Sequence, residues 1–163
     1  MIKLNLGSGN HILNDFVNVD CKIVTDTLLC IHDNIILLEK FSNEYADLIY
    51  ASHTLQCIFP RSIIFVALSH WHRVLKDGGK IIIEVPNVVP LMKKYIASEV
   101  PIEVFVQGVY GCDQEGLRQF TCFNFEYLKK MLESVGFKNV KEIEQPSYSR
   151  HCKETNICVE AEK

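Results

Sequence analysis

The sequence predicts an α/β fold with a mostly parallel sheet, and three observations support that prediction. Apolar runs typical of strands alternate with amphipathic helical segments, without linkers, repeats or low-complexity tracts. The first apolar run breaks into Gly7-Ser8-Gly9, and the second ends in the carboxylate of Asp20. Strands arranged in this way bring a glycine loop and an acid to the same edge of a sheet.

The first predicted strand, Lys3–Leu6, leads directly into the glycines. Two glycines let the backbone turn sharply and lie close to a bound molecule, although a plain tight turn is the alternative for the glycines alone. The second predicted strand, Phe16–Asp20, supports a ligand-binding role for the glycines over a plain turn. It ends in Asp20, at the point where a doubly wound sheet places the acid that hydrogen-bonds a ribose.

The connection between these two strands is too short for a full helix. Only residues 10–15 separate Gly9 from the second strand. A dinucleotide fold rests its pyrophosphate on the N-terminus of that helix, so a phosphate-bearing ligand is disfavoured. S-adenosylmethionine carries an adenosine and an amino-acid end but no phosphate. A glycine loop and a ribose-binding acid can therefore hold it without the helix.

The middle of the chain continues the alternation of strands and helices. A short third strand is predicted at Thr27–Ile31, followed by Asp33. Residues 61–75 carry one apolar stripe at helical spacing, which predicts a core-facing helix. Gly78-Gly79 are expected to end this element, and Ile81–Ile83 is continuously apolar, as a central strand covered on both faces should be.

The carboxyl-terminal part supplies one more helix and two more strands. Asn124 is a suitable N-cap for an amphipathic helix that stops at Gly136. Val140–Glu144 and Thr155–Ala161 are the last two predicted strands, joined by a polar connection that fits a hairpin. The sequence thus predicts a seven-stranded, mostly parallel sheet with an antiparallel last strand.

Three later segments, together with the first two strands, carry a family resemblance. Asp47–Ile58 reads DLIYASHTLQCI, Trp71–Pro86 reads WHRVLKDGGKIIIEVP, and Phe123–Phe137 reads FNFEYLKKMLESVGF. In this order the five segments resemble the small class I S-adenosylmethionine-dependent methyltransferases often called type 11. The resemblance implies a Rossmann-like methyltransferase fold with a shortened first helix, in one domain that spans residues 1–163.

The resemblance also implies S-adenosylmethionine as the cofactor and assigns its contacts by position. The expected cofactor-binding residues are Leu6, Gly7, Ser8, Gly9, Asp20, Asp33, Ser52 and His53. The glycine loop would line the methionine half and Asp20 the ribose. Asp33 would meet the adenine amino group, with a solvated turn acid as an equal alternative. Ser52 and His53 would form the floor near the sulfonium.

Methyl transfer is an in-line displacement at a sulfonium carbon, so the enzyme mainly aligns the acceptor with the methyl group. His53 is the candidate catalytic base if the acceptor is a hydroxyl, with an orienting hydrogen bond as the alternative role. Residues 87–120 are expected to supply the acceptor pocket, with Asp113 and Arg118 as its polar groups. The resemblance favours a small polar acceptor, such as a sugar or glycan precursor, methylated at oxygen.

Two departures from the family pattern keep other functions open. Asn5 stands where many relatives carry an acid, and Gln56-Cys57 replaces a frequent Glu-His pair. A degenerate cofactor-binding domain that acts as a partner subunit is therefore a second hypothesis. A third is a protein or nucleic-acid methyltransferase, because an open site without a cap would receive a large substrate.

Composition restricts the partners and the compartment. The formal net charge is −3 and no basic run occurs. Proteins that bind nucleic acid by its phosphates usually carry a basic face, so the charge argues against a nucleic-acid partner. No apolar stretch approaches the roughly 20 residues that span a bilayer, and no signal peptide is predicted. The seven cysteines include no C-x-x-C pair. We therefore expect reduced thiols in a cytoplasmic protein that binds neither membrane nor metal. The oligomeric state is left open.

Overall fold

The computed structural model describes residues 1–21, 30–111, 118–151 and 153–163, and these ranges contain a seven-stranded sheet. The strands are β1 (Lys3–Leu6), β2 (Val17–Asp20), β3 (Cys30–His32), β4 (Ala46–Ser52), β5 (Leu75–Pro86), β6 (Lys138–Glu142) and β7 (Asn156–Glu162). Their order is β3-β2-β1-β4-β5-β7-β6, and β7 runs antiparallel to the other six strands, which are parallel to one another. The predicted mixed sheet is confirmed.

Four α-helices accompany the sheet in the described ranges. They are α1 (Ile63–Val74), α2 (Val88–Ile96), α3 (Ile102–Tyr110) and α4 (Phe125–Ser134), with short 3-10 turns at Leu55–Cys57 and Lys153–Thr155. The predicted N-cap of the late helix is present, because Asn124 Oδ1 accepts a hydrogen bond from Tyr127 N at 2.9 Å. Among the described helices, none combines the length and the hydropathy needed to cross a membrane.

The main core lies on one face of the sheet. The buried side of α1 and α4 packs there against alternate strand residues, such as Ile49 of β4 and Ile83 of β5. Trp71 of α1 is fully buried, and its indole N–H donates to the carbonyl of Ile35 at 2.7 Å. The helical stripe over residues 61–75 is therefore core packing, as the spacing predicts.

A second, smaller apolar cluster lies on the opposite face of the sheet. Tyr50 and Ile82 belong to it, because side chains alternate along a strand. Phe16 and Tyr148 pack against these strand residues from two irregular segments, and no helical residue contributes to the described cluster. Loops rather than helices thus cover this face beside β4 and β5.

The first connection contains no helix, which confirms its predicted shortening. Two asparagines that face each other on β1 and β2 hold it in place. Asn5 Nδ2 donates to His11 O and to Asn18 Oδ1, both at 2.9 Å. Asn18 in turn accepts from Leu13 N at 3.0 Å and donates to Leu13 O at 3.1 Å. Asn5 therefore acts as a donor to the loop, a role that an acid at this position could not perform.

Two predicted element boundaries are corrected. Gly78-Gly79 do not lie between elements, because β5 begins at Leu75 and passes through them. Gly78 has φ +72°, and the pairing of β4 with β5 shifts register nearby, so the glycines form an irregularity inside the strand. The third strand covers Cys30–His32 instead of Thr27–Ile31, whose first three residues lie outside the described ranges.

Helices α2 and α3 occupy part of the segment that the sequence leaves unpatterned. They pack on each other, with the rings of Tyr95 and Phe105 stacked at 4.8 Å between centroids. A Cβ on Gly108 would come within 2.4 Å of Leu91 Cδ2, so glycine permits this close approach. Neither helix contains a buried residue, and Ile96 is 78% exposed. The pair therefore lies outside the main core.

Candidate functional site

The backbone of the glycine loop is sterically restricted where it leaves β1. Gly7 has φ +67°, and its N–H donates to the carbonyl of Val19 at 2.8 Å. A Cβ on Gly7 would lie only 2.2 Å from Thr54 Oγ1, which itself donates to Leu6 O at 2.9 Å. Both the left-handed backbone and the contact with Thr54 thus require glycine here.

Asp20 connects the end of β2 to the glycine loop. Its Oδ2 accepts a hydrogen bond from Gly9 N at 2.8 Å, and the residue is 8% exposed. Among the described residues, and apart from Gly9 and its two chain neighbours, no atom lies within 4 Å of the point where a Cβ on Gly9 would stand, so the loop faces open space there. Ser8 is buried, and its hydroxyl lies 3.4 Å from Cys30 Sγ. The predicted loop and acid are therefore neighbours.

Asp33 lies beside Asp20, since Asp33 N donates to the carbonyl of Asp20 at 3.0 Å. Its own carboxylate accepts from Asn34 N at 2.7 Å and from Lys40 N at 3.0 Å. Both carboxylate oxygens thus stabilise the turn that follows β3. Asp33 is only 6% exposed, so it is a buried turn acid and not the solvated one of the alternative, and a contact with adenine stays a prediction.

Ser52 is the last residue of β4, and His53 follows it directly. Ser52 Oγ donates to Glu84 Oε2 at 3.2 Å, and His53 N donates to the carbonyl of Glu84 at 2.8 Å. The ring of His53 bonds through Nε2 to Asn156 Oδ1 at 2.8 Å. Because an amide oxygen only accepts, Nε2 carries the proton and Nδ1 is left as the acceptor nitrogen.

The imidazole of His53 is neutral in this environment. His151 stacks on it with 3.6 Å between ring centroids and 10° between planes. Burial, together with the nearby His151, lowers the pKa of His53 to about 4, against the smaller opposite effects of Asn156 and Glu84. At neutral pH this histidine can accept a hydrogen bond, but it is a weak base.

Glu84 is a functional candidate that the sequence analysis misses. It lies on β5 with 0% exposure, and its carboxylate accepts from Tyr50 Oη at 2.8 Å and from the nearby Ser52. Ser149 Oγ donates to both carboxylate oxygens, at 2.9 and 2.8 Å, and Gln145 Nε2 donates to Oε1. The available signal was one acid inside the apolar run Ile81–Val85.

The predicted acceptor residues are described only in part. Asp113 lies outside the described residues. Arg118 pairs with Gly111 in an isolated antiparallel bridge and lines a groove of about 470 Å³ between α3 and residues 118–120. Phe120 N donates to the carbonyl of Gln56 at 2.8 Å, which connects this groove to the turn after β4.

Two buried oxygens near this connection have no partner among the described residues. They are Gln56 Oε1 and Thr121 Oγ1, on residues that are 2% and 4% exposed. Gln56 belongs to the Gln56-Cys57 departure from the family pattern. Burial raises the pKa of the Cys57 thiol to about 11, so Cys57 is not a thiolate nucleophile at neutral pH. Within the described ranges, no group of three or more His, Cys, Asp or Glu side chains is arranged to hold a metal ion.

Comparison with known proteins identifies the architecture. No family model matches the sequence, and none of the curated proteins matches it. An S-adenosylmethionine-dependent methyltransferase from Archaeoglobus fulgidus is similar over 99% of this chain and 85% of its own, with TM-score 0.65 and 17% identity. One from Methanosarcina mazei is similar over 99% and 91%, with TM-score 0.68 and 15% identity.

A third similar structure is a complex between the Haloferax volcanii methyltransferase activator Trm112 and a candidate methyltransferase. The similar region spans 99% of this chain and 81% of the matched chain of that complex, with TM-score 0.62 and 11% identity. At such identities, structural similarity carries the fold but not the substrate or the partner. The seven-stranded sheet with its antiparallel β7 agrees with these comparisons. The chain therefore has the fold of the class I S-adenosylmethionine-dependent methyltransferases.

Proposed function

We propose that the protein is an S-adenosylmethionine-dependent methyltransferase whose cofactor binds at the carboxyl ends of β1, β2 and β4. The observation that carries this proposal is the hydrogen bond of 2.8 Å between Gly9 N and Asp20 Oδ2. It joins the glycine loop to the acid at the end of β2, the two features that an adenosine ligand with an amino-acid tail requires at one sheet edge.

The residues present fit this cofactor. The backbone at Gly7 is packed against Thr54, whereas the space beside Gly9 is open, so a ligand can lie along the loop. The methionine part would follow the loop and the ribose would meet Asp20. No helix follows the loop in the first connection, which suits a cofactor without phosphate.

S-adenosylmethionine supplies an activated methyl group, and the protein's task is to align the acceptor with it. We assign His53 to this task. Its Nε2 is held by Asn156, so the ring is fixed and Nδ1 can accept a hydrogen bond from the hydroxyl or amine of the acceptor. A pKa of about 4 suits orientation better than proton removal, so we favour the orienting role over that of a base.

We propose a small polar acceptor, with sugars and glycan precursors methylated at oxygen as the first class to test. The groove beside α3 supports this choice, because it combines the aromatic rings of Tyr110 and Phe120 with the polar side chains of Gln107, Arg118 and Gln119. Aromatic faces and amide or guanidinium donors are the groups that contact the apolar faces and hydroxyls of a sugar ring.

Calorimetric titration with S-adenosylmethionine and S-adenosylhomocysteine tests the cofactor proposal. We expect micromolar binding by the wild type and at least about a tenfold weaker affinity for Asp20→Ala, because a charge-assisted hydrogen bond contributes about 1.5–3 kcal/mol. Asp15→Ala is the matched control, since Asp15 is an exposed acid in the same loop region. Absence of binding by the wild type, or equal loss in both variants, would contradict the proposal.

A second candidate function is a cofactor-binding subunit that turns over only with a partner. One observation favours it: α2 and α3 bury no residue and expose apolar side chains such as Ile96 and Ile102. An acceptor screen with radiolabelled cofactor separates the two candidates. Turnover by the purified chain supports the enzyme, whereas tight cofactor binding without turnover on any acceptor supports the subunit.

A further inference from the structure

Glu84 ties an irregular segment to the centre of the sheet. Two of its donors, Tyr50 and Ser52, lie on the neighbouring strand β4. The other two, Gln145 and Ser149, belong to residues 145–151, hereafter the 145–151 segment. Burial raises the pKa of Tyr50, so its hydroxyl keeps the proton that it donates. One carboxylate on β5 thus accepts hydrogen bonds from two separate parts of the chain, β4 and the 145–151 segment.

Burying the Glu84 carboxylate costs more free energy than is needed if its only role is to stabilise the fold. Glu84 is 0% exposed, and no Lys, Arg or His among the described residues forms an ion pair with it. Removing a carboxylate from water without a cation costs several kcal/mol, which hydrogen bonds from neutral donors offset in part. A neutral or apolar residue at this position would anchor the same strand at lower cost.

The segment that Glu84 holds leads directly to the proposed orienting residue. Ser149 Oγ, bonded to Glu84, also accepts from His151 N at 3.3 Å. The ring of His151 then stacks on that of His53 at 3.6 Å. A continuous chain of contacts therefore runs from the buried carboxylate through Ser149 and His151 to the imidazole at the end of β4.

We propose that Glu84 is a positioning residue, which holds the 145–151 segment on the sheet and thereby seats His151 against His53. His53, fixed between His151 and Asn156, presents one ring orientation to the methyl acceptor. The catalytic part of this inference rests on the proposed function, whereas the positioning part concerns contacts that exist without cofactor.

Several groups face the two rings and act on their titration in opposite directions. Glu84 and Asn156 raise the pKa of His53, while burial, His151 and Arg150 lower it. The pKa of His151 is lowered chiefly by burial, with Glu84 opposing and with Arg150 and His11 adding to the effect. Loss of the Glu84 charge alone would lower the pKa of His53 further. Loss of the stacked segment would expose the ring and raise its pKa.

These opposite directions make the inference testable by NMR titration of the histidine rings in the cofactor-free protein. In Glu84→Gln, and independently in Ser149→Ala, we expect the pKa of His53 to rise from about 4 toward its ordinary value of 6.5 as the segment loosens. Ser69→Ala is the control, because Ser69 Oγ donates only to Phe65 O on the surface of α1. A pKa of His53 that stays unchanged or falls in both variants would overturn the inference.

A kinetic measurement then tests the catalytic part. Once an acceptor is known, we expect Ser149→Ala to lower kcat about tenfold and to leave the KM for S-adenosylmethionine within about twofold, because the cofactor loop is untouched. Equal loss in kcat and in cofactor affinity would reject a positioning role. If no acceptor is ever turned over, the proposed function fails, and the ring titration still decides whether Glu84 holds the 145–151 segment.

Discussion

Single polar side chains replace secondary structure at two points of this molecule. Asn5 and Asn18 hold the helix-free loop between β1 and β2, and Glu84 holds the 145–151 segment. Directional hydrogen bonds can do this because the groups are buried, where an unmade bond is costly. The amide at Asn5 therefore has a structural reason, which is its donation of hydrogen bonds to the loop. The sequence resemblance, which leads one to expect an acid here, did not reveal this reason.

Asn5→Asp, which introduces the acid that the sequence resemblance leads one to expect at this position, should destabilise this protein. The carboxylate cannot donate to His11 O, and it would face Asn18 Oδ1 as a second acceptor. We expect a loss of about 2–3 kcal/mol in the free energy of unfolding, measured by urea denaturation. Asn43→Asp is the matched control, because exposed Asn43 only accepts a hydrogen bond from Arg73. Equal stability of both variants would refute the donor role.

The lowered pKa of His53 makes the folded protein sensitive to acid. Well above pH 6.5 the ring is neutral in both the folded and the unfolded chain, so its contribution to the free energy of unfolding is constant there. Between pH 6.5 and about 4 the unfolded chain binds a proton that the folded protein does not bind. The free energy of unfolding therefore decreases as the pH is lowered through this range. We expect this one group to account for about 3 kcal/mol of loss over that range.

Denaturation curves at several pH values measure this effect. In His53→Gln no ring titrates at this position, so the stability should fall less steeply between pH 6.5 and 4 than in the wild type. His11, His72 and His151, whose pKa values are also lowered by burial, remain in the variant and sustain part of the slope. Identical slopes would show that His53 titrates normally.

The elements that were predictable from the sequence are those specified by local patterns. The N-cap at Asn124, the stripe of α1 and the apolar run of β5 depend on neighbouring residues and are confirmed. The passage of β5 through Gly78-Gly79 was not predictable, because pairing with β4 overrides a local turn signal. Glu84 was also missed because its interactions are not local: the side chains that donate to it are 32 to 65 residues away in the sequence.

The glycine loop offers a comparison between two glycines of similar backbone conformation. Gly7 and Gly9 both have positive φ, but only a Cβ on Gly7 would meet another group, Thr54 Oγ1. We expect Gly7→Ala to lower the free energy of unfolding by about 2–4 kcal/mol and Gly9→Ala by about 1 kcal/mol, as measured by chemical denaturation.

Cofactor affinity should respond differently from stability in this pair. The methyl group in Gly9→Ala would project into the open space where we place the cofactor, so S-adenosylmethionine should bind at least about tenfold more weakly despite the small loss of stability. A Gly9→Ala protein with unchanged affinity would place the cofactor elsewhere. This measurement is independent of Asp20.

At the scale of the whole molecule, stability is unevenly distributed. The central strands and the buried faces of α1 and α4 form the core, whereas α2 and α3 contribute no buried residue. Amphipathic spacing alone could not reveal this difference, because both kinds of helix carry apolar residues. What distinguishes them among the described residues is the main packing partner: α4 packs on β6 and β7, whereas α2 packs chiefly on α3 and on the turn Lys153–Thr155.

Hydrogen exchange should reveal this unevenness. We expect backbone amides of α2 and α3 to exchange about 100-fold faster, or more, than those of α4, because few buried contacts must be broken to open them. Mass spectrometry of peptides covering 88–110 and 125–134 gives the comparison. Equal protection would mean that the exposed apolar side chains of α2 and α3 are covered in solution, and sedimentation analysis would then identify self-association.

The position of β7 has a consequence for the order in which the chain can fold. This strand follows the other six in the chain, yet it lies in the interior of the sheet between β5 and β6. During synthesis β5 therefore has one unpaired edge until the residues of β7, Asn156–Glu162, have been released from the ribosome. Pairing of this edge of the sheet is thus coupled to synthesis of β7, and an unpaired β5 edge is a site where a nascent chain can associate with other strands.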